Sequence, residues 1–426
     1  MVTAPAGQLV LFRNIGLTDA DTGVQTSNVG EPSVANNGRE ILVTGNWFAS
    51  RSLDNGATWD HINPFDYFPP ASGGFCCDQV VQYDRSRDLT FWLLQYIADN
   101  NSNTLRLAVK QGATLGNNAW YWWDFRPNTV NSSWTNQWFD YPGMSLSNDY
   151  LYVTTNKFNI NNGFAGAVVF RFPLDDLAAG QNLTYRVWST TSFGSLRCVQ
   201  GARDTMYFAS HSNRQRIRVW TWPEADNQPQ GTNVSVTRWN GGFYQAPQPG
   251  GGNWLGRADG RITGAWAANG QLGFMWTANS SNTRPQPHIR VAVVDDTTKQ
   301  LLAEPDIWSR TQAFAYPDAS SNDRGHVGVT FCMSSESIHP SHVVGIRDDF
   351  VPNGWDLRMT QAGTDSPTDN KWGDYLNCRR HSPDGLTWIA SGYTLQGGTN
   401  RRNVEPRVVH FGRGRDSRAV TRWESA

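Results

Sequence analysis

Short runs of alternating or continuous apolar residues recur along the whole chain, separated by clusters of Gly, Asn, Asp and Ser. Strands turn side chains to opposite faces at every step, and those cluster residues close turns, so the pattern predicts an all-β chain. Helical spacing is nearly absent; residues 173–180 read as one short helical turn. The runs also come in pairs. Residues 31–35 and 41–45 flank a turn at Asn36-Asn37-Gly38, and residues 78–83 and 89–94 flank a turn at 84–88. Further pairs are 140–146 with 150–154, 197–200 with 205–210, 261–266 with 271–276, and 375–379 with 386–391; another unit opens at His326-Val327-Gly328.

The starts near 31, 78, 140, 197, 257, 326 and 374 recur about every 57 residues. A four-stranded antiparallel sheet with generous loops needs about that much chain. Seven starts predict a seven-bladed β-propeller, a single domain over residues 1–426. Residues 8–12 and 404–410 are leftover strands at the two ends, placed to close the ring within one blade.

One stretch is specific. Ser52-Leu53-Asp54-Asn55-Gly56-Ala57-Thr58-Trp59 reads S-x-D-x-G-x-T-W without a mismatch. Asp and Ser side chains bond nearby backbone N–H groups, Gly accepts a positive φ, and Thr-Trp restarts a strand. The stretch resembles the Asp box, or BNR repeat, of sialidase-like β-propellers. Residues 382–388 resemble a second box that is one residue short. In that family the box lies on the rim, away from the ligand face, so the resemblance implies the fold rather than an activity.

Strand order predicts where a ligand face lies. The innermost strand of each blade starts on one face and its partner returns there. First-strand starts place Glu31, Asp78, Asp140, Arg257, Arg261, His326, and Asp374 with Tyr375 on that face. Second-strand ends add Asn46, Trp47, Tyr96, Asn156, Lys157, His211, Asn279 and Tyr393. Seven dissimilar corners predict one asymmetric site, whereas a lectin often repeats near-identical sites. The expected catalytic groups are His211, His326 and Tyr375; the expected substrate-binding groups are Arg257, Arg261, Lys157, Asp78, Asp140, Trp47 and Tyr96. Glu31, before Pro32, reads as a loop anchor, and His339, His342 and His381 read as ordinary loop residues.

Composition narrows the chemistry. The formal net charge is −1, with no dense basic run and no apolar run of membrane-spanning length, which excludes nucleic acid and membrane as expected partners. Only four of the 36 basic residues are Lys; the Arg-rich remainder suits carboxylates and sugar hydroxyls, which a planar fork reads. No His/Cys/Asp group has metal-ligand spacing and no phosphate-binding glycine loop occurs, so no cofactor is expected. The five Cys leave connectivity open; Cys76-Cys77 reads as free thiols or as paired elsewhere before it reads as a vicinal disulfide. Sequons at Asn100, Asn131, Asn182, Asn233 and Asn279 accord with a secreted protein lacking its leader, expected to be monomeric.

The expected partner is a polysaccharide or oligosaccharide. Resemblance to propeller lyases, such as rhamnose–glucuronate lyase and ulvan lyase, implies β-elimination beside a uronate: Arg neutralises the carboxylate while His or Tyr moves the C5 proton. A glycoside hydrolase of the sialidase-like type is the alternative, although the family's F/Y-R-I-P signature is missing and Phe12-Arg13-Asn14-Ile15 does not replace it. A carbohydrate-binding lectin is the third reading.

Overall fold

The computed structural model describes residues 4–17, 26–417 and 419–420. They form seven four-stranded antiparallel sheets arranged as a β-propeller. The innermost strands, in chain order, are Ser33–Asn36, Phe75–Asp84, Gln137–Leu146, Arg197–Cys198, Ile262–Ala268, Ala313–Ser321 and Asn377–Arg380. Each lies against the next, and the seventh returns to the first. Blade 7 is closed by both ends of the chain: Leu9–Gly16 pairs antiparallel with Val404–Arg413 as its outermost strand. Two short helices interrupt the strands, Pro127–Val130 and Leu174–Ala179, the second ended by Gly180 in the left-handed conformation.

The core lies in the seams between blades. Tyr152 and Trp222 pack between blades 3 and 4, Trp92 and Ala35 between blades 1 and 2, and Trp388 beside Val344 between blades 6 and 7. Burying side chains of this size contributes about 1.5–3 kcal/mol or more each, so flat aromatic residues suit sheets stacked face to face.

Ser52–Trp59 forms the turn between the third and fourth strands of blade 1. The Gly56 N–H donates to Ser52 Oγ at 2.7 Å, the Thr58 N–H to Asp54 Oδ1 at 2.8 Å, and Trp59 Nε1 to the Gly56 carbonyl at 3.2 Å. The Thr58 hydroxyl and N–H hold the Asp54 carboxyl down to about 2. The shorter match in blade 7 repeats the device between the first two strands: Asp384 accepts from the N–H groups of Leu386 and Thr387 at 2.7 and 2.8 Å.

Blade 6 departs from the expected frame. Its first strand is Ala313–Ser321, and the run after His326 is the second strand, Val327–Ser335. Tyr316-Pro317 breaks the alternation of the first strand with a bulge between Ala315 and Asp318, which hides a strand from pattern reading. The correction moves His326 to the opposite end of the channel.

Candidate active site

The site mouth is built from irregular backbone at the starts of the inner strands. Register shifts occur between Phe75 and Gln79, Asp140 and Gly143, Ile262 and Gly264, and Ala315 and Asp318. Bulges re-aim side chains and end pairing, and they recur beside active sites. Three residues that precede proline have left-handed backbone here: Glu31 at φ 46°, Tyr141 at φ 58° and Tyr316 at φ 58°. Trp47 adds φ 66°. Bulky residues resist this region, and each instance costs about 1–3 kcal/mol. The proline supplies no N–H, so the break in pairing leaves no donor unmet. Seen together, Glu31-Pro32, Tyr141-Pro142 and Tyr316-Pro317 are a repeated device that the sequence displays but that strand patterning does not read.

Five acidic residues (Glu31, Asp78, Asp140, Asp259 and Asp374) and three arginines gather at this mouth. Glu31 Oε2 accepts Asn46 Nδ2 at 2.8 Å, and Glu31 Oε1 accepts the Asp374 N–H at 3.0 Å. Asp374 is reached by Arg261 at 3.4 Å and Arg257 at 3.8 Å. Arg261 is also clamped on Asp259 at 2.6 Å and lies over the Tyr141 ring at 4.4 Å. Arg197 donates to the Tyr141 hydroxyl at 3.1 Å. Asp140 accepts Gln95 Nε2 at 2.9 Å. Tyr375 packs edge-on to Tyr141 at 6.0 Å, and the hydroxyls of Tyr375 and Tyr316 are buried without a hydrogen-bond partner.

Burial dominates the acidities. It pushes Glu31 from 4.5 up to about 8, helped by the charge of Asp374. It raises Asp78 well above the usual carboxylate range, helped by Glu31, Asp140 and Asp374. It raises Asp374 too, against the pull of Arg261 and Arg257. The tyrosine hydroxyls of 141, 316 and 375 are all made less acidic by burial. Crowded carboxyls that cannot all ionise hold a proton at neutral pH, the condition for a general acid.

The structure brings together Asp78, Asp140, Arg257, Arg261 and Tyr375 of the expected set. Arg257 is the freest cation, its side chain 45% exposed. Trp47 borders the cluster: its Nε1 donates to the Cys76 carbonyl at 3.0 Å, two residues before Asp78. His211 is on this face, but its ring nitrogens are buried between Trp239 and Trp276, each 4.9 Å away between ring centres. That burial pushes its imidazole down to about 4.

Lys157 and Tyr96 stand apart. The Lys157 ammonium sits 3.7 Å from the Trp134 ring centre in the seam of blades 2 and 3, and burial alone lowers it to about 8. Tyr96 accepts Arg106 Nη1 at 3.0 Å beneath the guanidinium that Asp124 clamps. His326 lies at the other mouth, where Arg415 donates to its Nδ1 at 3.2 Å and Asp349 is 3.5 Å from Nε2.

Further corrections concern Cys and His. Cys76 and Cys77 are joined as a vicinal disulfide within the blade 2 bulge. His342 is a fully buried strand residue between the Thr330 and Thr360 hydroxyls. His339 pairs with Ser366 at 2.8 Å. His381 is buried, bonded to Asp384 at 2.5 Å and stacked on His410 at 3.8 Å with 8° between planes. Among the described residues His381, Asp384 and His410 come within reach of a common ion, as do His326, Asp348 and Asp349. Parallel stacked imidazoles aim their lone pairs side by side rather than at one point, and Arg415 already fills the second group by its bonds to Asp349 and His326. Neither arrangement fits a metal well.

A cavity of about 680 Å³ is at the other mouth, lined by the first turns of the blades. Several of its charged groups are paired: Arg85 and Arg380 both close on Asp323, and Arg379 bonds Asp318 at 2.9 Å and Gln82 at 2.7 Å. The near mouth differs from it in holding carboxyls raised by burial and tyrosine hydroxyls without partners.

No family model matches the chain, and no curated protein matches it. Among solved structures it is similar to an α-L-arabinanase from Penicillium chrysogenum, with 11% identity, 94% of this chain and 98% of that one covered, and a TM-score of 0.45. It is similar to an α-L-arabinofuranosidase from Fusarium graminearum, with 8% identity, coverage of 95% and 98%, and a TM-score of 0.45. A protein from Dyadobacter fermentans gives 10% identity, coverage of 95% and 99%, and a TM-score of 0.46. With scores below 0.5, these likenesses carry no argument about the site.

Proposed function

We propose that this chain is a glycoside hydrolase that cleaves a glycosidic bond beside an acidic sugar in a polysaccharide or oligosaccharide. The observation that carries the reading is the close pair Glu31 and Asp78, held above the usual carboxylate range beside Arg257 and Arg261. The protonated pair gives its proton to the leaving oxygen as the bond to the anomeric carbon breaks. Water then adds to that carbon, and its proton passes to a carboxylate of the cluster, for which Asp374, facing two guanidiniums, is best placed. Arg257 offers parallel charge-assisted hydrogen bonds to a substrate carboxylate.

Hydrolysis is favoured over β-elimination by the fate of the histidines. His326 is at the far mouth and His211 is walled between indoles, so neither imidazole faces the arginines. The remaining bases for elimination would be tyrosines whose protons burial has made harder to remove. The Cys76–Cys77 disulfide accords with an oxidising, extracellular setting.

The test is incubation with uronate-containing polysaccharides, following reducing ends together with ultraviolet absorbance. New reducing ends without the absorbance of an unsaturated uronate support hydrolysis. That absorbance would instead establish elimination, and binding without either product a lectin.

A further inference from the structure

We propose that within the Glu31–Asp78 pair the proton resides on Asp78, which donates it to Glu31, so that Asp78 is the acid and Glu31 its positioning partner. The argument is a count of donors. Both oxygens of Glu31 are already taken by N–H groups, from Asn46 at 2.8 Å and from the Asp374 backbone at 3.0 Å. The Asn46 amide is itself held on the Val29 carbonyl at 2.9 Å, so it cannot turn its oxygen toward Glu31 without losing that bond. The Asp374 N–H is carried by a turn pinned one residue earlier, where the Gly373 N–H donates to the Tyr393 hydroxyl at 2.7 Å. Glu31 thus sits in a rigid cradle made for an acceptor.

Asp78 has no such cradle. Among the described residues no N–H group or guanidinium donates to its side chain, and the charged groups facing it are Glu31, Asp140 and Asp374, while its own charge acts on the Tyr375 hydroxyl. A carboxyl that receives two N–H bonds is stabilised as the anion; one surrounded by carboxylates and given no donor is stabilised when protonated. The acidities follow the same division. Burial raises both, but the bonds from Asp374 and Asn46 and the charge of Arg257 pull Glu31 back down, while the bond to Glu31 holds Asp78 up. Asp78 is also the more accessible of the two, 9% exposed against 3%, as a group that meets a leaving oxygen must be.

Only the word acid rests on the hydrolase reading; the proton's position does not, and it is tested without a substrate. In Asp78→Asn the new N–H group replaces the O–H that donated to Glu31. In Glu31→Gln the amide N–H group must face one of the two existing donors, Asn46 or Asp374. Melting temperatures at about pH 7 are therefore expected to place Asp78→Asn at or above the wild type and Glu31→Gln several degrees below it. The infrared band of a protonated carboxyl, present at that pH in the wild type, should vanish in Asp78→Asn. The reverse order of stability, equal losses in both variants, failure of Asp78→Asn to fold, or a band that survives in it would each overturn the assignment. A chain that shows the expected order yet cleaves no glycan would keep the proton placement and reject the hydrolase.

Discussion

The two mouths of the channel hold nearly the same chemical inventory and differ in how it is paired. At the far mouth, Arg85 and Arg380 share Asp323, Arg379 closes on Asp318, and Asn36 exchanges hydrogen bonds with the Ser382 backbone at 2.7 and 3.3 Å. These groups brace turns, and around the roomy cavity they line the left-handed backbone falls on Gly201, Asn269, Gly270 and Gly325 rather than on bulky residues. At the near mouth, no N–H group among the described residues donates to the Asp78 side chain, the hydroxyls of Tyr316 and Tyr375 are orphaned, and Glu31, Trp47, Tyr141 and Tyr316 hold left-handed backbone. Charged residues alone therefore do not mark a site. We take several buried groups short of partners beside strained backbone as the mark of the proposed site, because the fold gives up stability to hold them so.

Single substitutions can break this comparison. The largest effect is expected at Asp78: Asp78→Asn should slow glycan cleavage by about 10²–10⁴-fold, the usual contribution of a general acid. The matching change at the far mouth, Asp323→Asn, should leave the rate within about threefold, since a braced turn makes no transition-state contact. Equal losses in the two variants would erase the distinction between the mouths.

Arg257→Ala comes next. Loss of a charge-assisted bond to a substrate carboxylate should raise KM by about 10–100-fold, from roughly 1.5–3 kcal/mol, with a smaller change in kcat. Arg85→Ala should leave KM unchanged. If Arg257→Ala is also silent on acidic substrates, the near mouth does not read a carboxylate.

The pH dependence of stability sharpens the contrast without a substrate. Burial raises Glu31 from 4.5 to about 8 and raises its partner Asp78 with it, so the folded pair binds its shared proton through that window. A group raised by folding binds its proton more tightly in the native state. Its contribution is complete below pH 4.5 and is lost as pH rises through about 8. The melting temperature of the wild type should therefore carry a downward component across that window, weaker in Asp78→Asn and unaltered in Asp323→Asn.

The smallest effects are expected at the histidines. His211→Ala leaves a gap between Trp239 and Trp276 and should lower the melting temperature, by about 1–3 kcal/mol of stability, while the rate stays within roughly tenfold. His326→Ala, at the far mouth, should change cleavage by no more than about twofold, a bound set by its lack of contact with any transition state. A large rate loss in His326→Ala would contradict the separation of the two mouths.

Much of this molecule was legible before any fold was known. Alternation in residues 31–45, 78–94 and 140–154 marks inner strand pairs that the structure contains. Residues 8–12 lie within the strand that closes blade 7, and Ser52–Trp59 makes its turn through short-range bonds alone. The failure at blade 6 has a local cause. Tyr316-Pro317 interrupts the first strand, so the clean run after His326 read as the start of the blade. The same Tyr-Pro signal stands at 141–142 and was readable as a strand there because the residues after it resume the alternation.

What the sequence determined by itself was therefore what depends on near neighbours: strand periodicity, turn chemistry, the repeat and hence seven blades. Only the tertiary structure decided which acidic residues share a proton, that Glu31 is cradled while Asp78 is not, that His211 lies between two indoles, and that Arg85 and Arg380 are spent on Asp323. The reason is physical. Burial and long-range pairing set acidity and availability, and both depend on residues far apart in the chain, as Glu31 and Asp374 are at 343 positions. An Asp or Arg carries the same chemistry at either mouth of the channel, and its surroundings determine whether that chemistry is free to act.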